Sequence, residues 1–171
     1  MIIEERVERS QYVKLITWIV SFIILMAGIV FPVLILWVNQ DMMSKVIGAS
    51  VLCLIFFTLI FTVAYQPRKL ILSETHIIME RILGQVYISY SDITDISLYH
   101  RENVAEIRIF GIGGLGGYIG KFYNSKIGFY TAYVGDYSQA FLIKINNREK
   151  CVMSCRHAEK IVEEVKSRLK Q

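Results

Sequence analysis

Two stretches without a single charged residue constrain this chain most: Leu15 to Gln40 and Val46 to Pro67. Each exceeds the ~20 apolar residues that a helix needs to cross the hydrocarbon core of a bilayer. They account for a hydrophobic fraction of 54% in a chain of 171 residues, high for a soluble domain. Without them an ordinary polar stretch of about 104 residues remains, Arg68–Gln171. The segment ahead of the first run, MIIEERVERSQYVK, mixes acids and bases, and no small-residue cleavage site follows the run. A mature transmembrane helix is therefore expected, not a cleaved leader.

The first run carries Trp18 and Trp37, nineteen residues apart. At helical rise that is about 28 Å, close to the hydrocarbon thickness, which sets one indole at each interface. Pro32 lies four residues after Gly28, where a kink is expected. The second run opens with Gly48, Ala49, Ser50 and Cys53, a small-residue face of the kind that lets two helices approach closely. The linker NQDMMSK is short enough to force an antiparallel hairpin. Arg6, Arg9 and Lys14 precede the first run, Arg68 and Lys69 follow the second, and the linker offers only Lys45. The positive-inside rule then sets both termini in the cytoplasm; Glu4, Glu5 and Glu8 weigh little in it.

Past Pro67 the pattern turns to short β-rich runs: Lys69–Ser73, His76–Leu83 after a turn at Glu74-Thr75, Gln85–Tyr90 after Gly84, and a run from Ser91 with Ile93, Ile96 and Leu98 as core positions. In Val104–Phe110, apolar Val104, Ile107 and Ile109 alternate with charged Glu106 and Arg108. Phe129–Val134, Ala140–Asn146 and Glu149–Ser154 follow, the last two joined by a hairpin turn at Asn146-Asn147. About seven strands are expected. The last segment, RHAEKIVEEVKSRLKQ, sets Ala158, Ile161, Val162, Val165 and Leu169 on one face of a helix that must pack on the sheet.

Three stretches, VYISYSDITDIS, FGIGGLGGYIGKFYNSKIGFYTAYV and CVMSCRHAEKIVEEV, resemble the bacterial pleckstrin-homology (PH)-like domains found beside transmembrane helices. In that pattern a strand ends in Y-x-D-I, here Tyr90, Asp92 and Ile93, and a glycine-rich aromatic segment follows. A Ser-Pro step leads into the terminal helix; here it reads Ser154-Cys155, without the proline. The resemblance implies an α+β fold: a transmembrane helical hairpin, then a bent, nearly closed antiparallel β-barrel with one C-terminal amphipathic helix. It defines no catalytic residues.

The glycine stretch contains a literal G-x-G-x-x-G at Gly111, Gly113 and Gly116. A dinucleotide site needs a helix after the glycines. Here the following residues are aromatic, β-branched and interrupted by Gly120 and Gly128, so Asp136, twenty residues past Gly116, is coincidental. Kinase-type and Walker A patterns are missing. Two readings stay open. Either the glycines serve the backbone at bulges and corners, or the segment meets the membrane. No acid lies between Glu106 and Asp136, while cations and rings abound. Arg108, Tyr118, Lys121, Phe122, Tyr123 and Lys126 are the residues expected at an anionic surface.

Other chemistry is thin. Cys53 sits in the second run. Cys151 and Cys155, in a cytosolic domain, are expected as buried thiols without a disulfide. With His157 they lack both a fourth ligand and C-x-x-C spacing, so no metal is expected. His76, His100 and His157 are scattered, Asp92 and Asp95 read as turn or cap acceptors, and Glu164–Arg168 as a solvated helix pair. The basic excess is not clustered as a nucleic-acid stripe would be. The expected organisation is a cytoplasmic segment 1–14, spans 15–38 and 46–66 around an extracytoplasmic linker 39–45, and a cytoplasmic PH-like domain 67–171. The expected function is a non-catalytic, cofactor-free module at the inner membrane that recruits a protein or peptide. The alternative is anionic-lipid sensing through 110–134. Expected partners are the membrane, another membrane or cytoplasmic protein, and a second copy through the hairpin; nucleic acid is not among them.

Overall fold

The structure is a computed structural model that describes residues 2–38, 41–101, 106–146 and 149–169. The apolar runs form two helices, α1 (Gln11–Val38) and α2 (Met42–Ala64). Their apolar windows have mean hydropathies of 2.7 and 2.6, and only 12% and 11% of those windows is buried. They are therefore not core helices wrapped in protein, and by length and composition both are candidate membrane spans. Glycines lie at their contact: Gly28 lies against Ile55, and Gly48 against Pro32 and Ile35. α1 continues through Pro32. The small-residue face splits, because Gly48 is buried on α1 while Ala49, Ser50 and Cys53 are exposed on the outer side. Asp41 caps α2, accepting the Ser44 N–H at 3.0 Å.

The N-terminal arm is not a bare tail. Strand β1 (Ile3–Arg6) pairs antiparallel with β2 (Pro67–Leu72), in register from Ile3↔Leu72 to Arg6↔Lys69. The strand before α1 and the strand after α2 thus lie side by side, and both outer ends of the hairpin are tied to one sheet. β3 (His76–Arg81) and β4 (Gln85–Ser89) complete it in the order β1-β2-β3-β4. A second sheet holds β5 (Ile93–Tyr99), β6 (Glu106–Gly113), β7 (Tyr118–Asn124), β8 (Gly128–Val134), β9 (Ala140–Ile145) and β10 (Glu149–Ser154), in the order β5-β9-β10-β8-β7-β6. α3 (Ala158–Leu169) packs on β5 and β9.

Three expectations change. The described residues hold ten strands, not about seven: beside the eight runs read from the sequence, β1 is added, and β7 emerges from inside the glycine region despite Gly120. Among the described residues the strands form two sheets and no closed barrel, because β4 pairs with β3 and with no strand of the second sheet. The second sheet is not wholly antiparallel either, since β10 runs parallel to β8 from Cys151↔Thr131 to Met153↔Tyr133. The β9–β10 hairpin is antiparallel as expected, with Asn146 at φ 41; Asn147 lies outside the described residues.

The main core lies between the sheets and under α3. Leu70, Leu72, Ile77 and Met79 meet Ile96, Phe141, Ile143 and Met153, closed off by Ile161 and Val165. Alternation along the strands sends Leu142, Val152, Tyr130 and Tyr99 into a second core on the opposite face of the second sheet. Leu98, expected in the core, is exposed because its neighbour Tyr99 takes the buried position. β6 does not bury its apolar positions either. Its apolar Ile107 and Ile109 are 56% and 54% exposed, whereas the Glu106 side chain is 3% exposed. Val104 lies outside the described residues. The Y-x-D-I tyrosine is structural: Tyr90 Oη donates to the Ser73 carbonyl at 3.1 Å and its ring faces Arg168 of α3.

Candidate functional site

The glycine motif turns out to be a hairpin that seats the helices. β6 and β7 pair antiparallel, and Gly111 stands opposite Gly120. Both have positive φ, +118° and +127°, and a Cβ on either would strike the carbonyl oxygen of Ile119 at 2.1 Å or of Phe110 at 2.2 Å. The Gly114 N–H donates to the Gly117 carbonyl and closes the turn. That turn rests on α1. The Thr17 hydroxyl donates to the Val13 carbonyl at 2.6 Å and accepts the Gly116 N–H at 2.8 Å. The space that a side chain at Gly116 would need is filled by the amide of Gln66, just past α2. Gln66 Oε1 in turn accepts from Arg9. Gly135 takes the arm in the same way, accepting the Ser10 N–H at 3.2 Å, with the Glu8 carbonyl where a Cβ would be. Sequence reasoning missed Thr17 and Gln66. The only signal was their polarity inside or beside a charge-free run.

The six residues expected at a membrane surface are not gathered in one place. Phe122 is buried in the second core, and Tyr118 packs on Tyr137 at 4.8 Å between ring centres. Arg108 lies beside Gly113 and the Phe122 ring, near the glycine turn. Lys121 is exposed on the opposite face of β7, with Tyr123 half-buried on the same face. Lys126 occupies the β7–β8 turn, at the far end of the hairpin from the helices, where its N–H donates to Asn124 Oδ1 at 2.8 Å. The buried end of β6 belongs to a polar cluster instead. Glu106 accepts from Tyr137 Oη at 2.8 Å and pairs with Arg101 Nε at 2.8 Å. Arg101 covers the rings of Tyr118 and Tyr137. Burial pushes the Tyr99, Tyr130 and Tyr137 hydroxyls above the ordinary phenol range, which suits structural donors and not proton carriers. Cys151 and Cys155 are buried, whereas His157 is exposed and pairs with Glu5.

One face stays open. The first sheet ends at β4, and residues of β4, β6, β7, β8 and β10 line a common opening. The result is a cleft of about 480 Å³. Its wall is β4, Val86 to Ile88, whose outer edge has no strand partner among the described residues. Its floor includes Ile109, Lys121 and Phe129, and Lys150 and Glu149 lie at its rim. Phe129 is 69% exposed and Tyr87, on the wall, 60%. A cleft bounded by an unpaired strand edge and a floor that carries Ile109 and Phe129 suits an extended peptide, which gains main-chain hydrogen bonds from the edge and side-chain contacts from the floor.

Comparison with known families agrees with this architecture: residues 68–169 match the family model of the bacterial PH domain. No curated protein and no solved structure matches the chain.

Proposed function

The chain belongs to the bacterial PH domain family, and from that premise we propose that it is a membrane-anchored, non-catalytic binding module that recruits a protein segment at the inner face of the membrane. The observation that carries this reading is the open seam at β4. A segment entering it extends the first sheet by one strand and covers Ile109, Phe129 and Tyr87, apolar side chains otherwise left to water. The anchor then acts by confinement, since both ends of the helical hairpin are built into the domain and hold the seam at a fixed height. The domain so defined runs from residue 67, with β1 added to it, and the spans lie at 15–38 and 46–66.

Photo-crosslinking in native membranes tests this. A crosslinking amino acid at Tyr87 or Phe129 of the full chain is expected to yield a discrete protein adduct. The same group at the equally exposed Ile2, remote from the seam, is expected to yield none. Adducts of the same kind at all three positions sink the proposal, as does none at the seam.

Contact of the segment 110–134 with anionic lipid is the second reading. It is supported by one observation, the glycine turn resting on α1 at Thr17, one residue before Trp18. Arg108 and Tyr118 flank that turn and are its best members. Changing Arg108 to Glu separates the readings: salt-sensitive binding to anionic vesicles drops under the second and stays unchanged under the first.

A further inference from the structure

The three acids of the N-terminal arm are matched. Glu4 meets Lys69 at 3.4 Å, Glu5 meets His157 at 3.0 Å and Glu8 meets Arg156 at 3.4 Å. The bases Arg6, Arg9 and Lys14 have no carboxylate partner among the described residues, and neither has Arg68 after α2. Arg9 is the last charged residue before α1; its guanidinium is half-buried and donates to Gln66 Oε1. Arg68 follows α2 by four residues and is exposed. Its carbonyl accepts the Val7 N–H at 2.9 Å, beside the arm, and a bulge between Pro67 and Lys69 leaves it out of the β2–β3 ladder. Among the described residues no carboxylate lies within ion-pairing distance of either guanidinium. They are near enough that burial and then the charge of Arg68 push the Arg9 pKa down. α1 begins here with no acid in its first turn, and the cap at its start is the neutral Ser10 hydroxyl, which accepts the Val13 N–H at 3.2 Å, so no charge faces the positive end of its dipole.

Two guanidiniums and a helix N-terminus without a counter-ion call for an anion whose oxygens accept several N–H donors at once, which is the chemistry of phosphate. General attraction of basic flanks to a membrane does not require one guanidinium to be held half-buried on a glutamine. At the base of two apolar helices the phosphate within reach is that of a lipid headgroup. We infer that Arg9 and Arg68 together bind the phosphate of an anionic phospholipid at the base of the helical hairpin. This goes beyond the seam and is independent of it. It rests on α1 and α2 spanning the membrane, which resistance of the chain to alkaline carbonate extraction checks separately.

The test uses the full chain, purified in detergent and stripped of lipid, with retained lipid read by native mass spectrometry. Phosphatidylglycerol is expected to stay bound, and diacylglycerol, which lacks the phosphate, is not. Arg68→Gln, a change at an exposed side chain, should weaken retention about fivefold, and Arg9→Gln with Arg68→Gln about twenty-fivefold. If the double variant melts below the parent, Arg68→Gln alone decides. Retention of diacylglycerol or phosphatidylcholine equal to that of phosphatidylglycerol overturns the inference, as does an Arg68→Gln chain that binds like the parent. Displacement of the lipid by millimolar inorganic phosphate makes free phosphate the ligand and overturns the lipid assignment.

Discussion

Gly120 and Gly128 both have positive φ, yet they differ in what surrounds them. A Cβ at Gly128 meets nothing within 4 Å, whereas one at Gly120 meets the Phe110 carbonyl oxygen at 2.2 Å. Gly128→Ala is therefore expected to cost about 1–2 kcal/mol, the strain of a left-handed L-residue. Gly120→Ala adds a backbone collision and is expected to cost more, with β6 and β7 separating; thermal melts of the two variants check the order. That these glycines serve the backbone was legible, since no helix follows them. Which atoms approach them was not, because Thr17 and Gln66 are about 100 and 50 residues away in the chain. Burial first, and then the charges of Glu149 and Glu5, push the Cys151 and Cys155 thiols up to about 12. Their folded values exceed the unfolded value of about 8.5, so the stability they contribute is full below that pH and is lost as pH rises toward 12. In a Cys53→Ser chain, a thiol reagent at mildly alkaline pH should react with neither cysteine until the chain is denatured, and then with both. Prompt reaction in the native state would show that they are not buried.

The same logic at the scale of elements separates what hydrophobic period reveals from what pairing decides. α3 was legible because Ile161, Val162 and Val165 recur at helical spacing, and all three are buried. Val165 is 0% exposed, so Val165→Asp sets an unpaired charge in the core, against a total stability of about 5–15 kcal/mol for a domain. Loss of the cooperative melt is the expected result, and a melt like the parent's would contradict the packing of α3. β1 carried no such signal. Three of its four residues are charged, and it is held by the β2 ladder and by the Glu4–Lys69 and Glu5–His157 pairs. A fragment starting at Arg68 loses that strand. Its β2 amides should exchange hydrogen faster than in the full chain by on the order of tenfold or more, since an exposed edge opens easily. β6 misled for a related reason: it lies at a sheet edge, where Ile107 and Ile109 are exposed and the side chain that is buried, Glu106, is held by Arg101 and Tyr137 and not by hydrophobicity.

For the whole molecule, two independent arguments meet in one topology. The first is geometric. β1 precedes α1, β2 follows α2, and the two pair over four residues, so both outer ends of the hairpin must lie on one side of whatever the helices cross. The second is electrostatic and chooses the side: Arg6, Arg9, Lys14, Arg68 and Lys69 flank the outer ends, against Lys45 alone in the linker. A reporter active only outside the cytoplasm should be silent when fused to either terminus and active when inserted beside Asp41. The two arguments fail differently. A signal from both termini and none from the linker would reverse the orientation, refuting the charge argument and leaving the strand pairing intact. A signal from one terminus alone would require β1 and β2 on opposite sides of the membrane, which no rearrangement of the hairpin can reconcile with their register. Both ends silent with the linker active leaves the seam, the glycine seat and the Arg9–Arg68 pair facing the cytoplasm, at the base of the two helices.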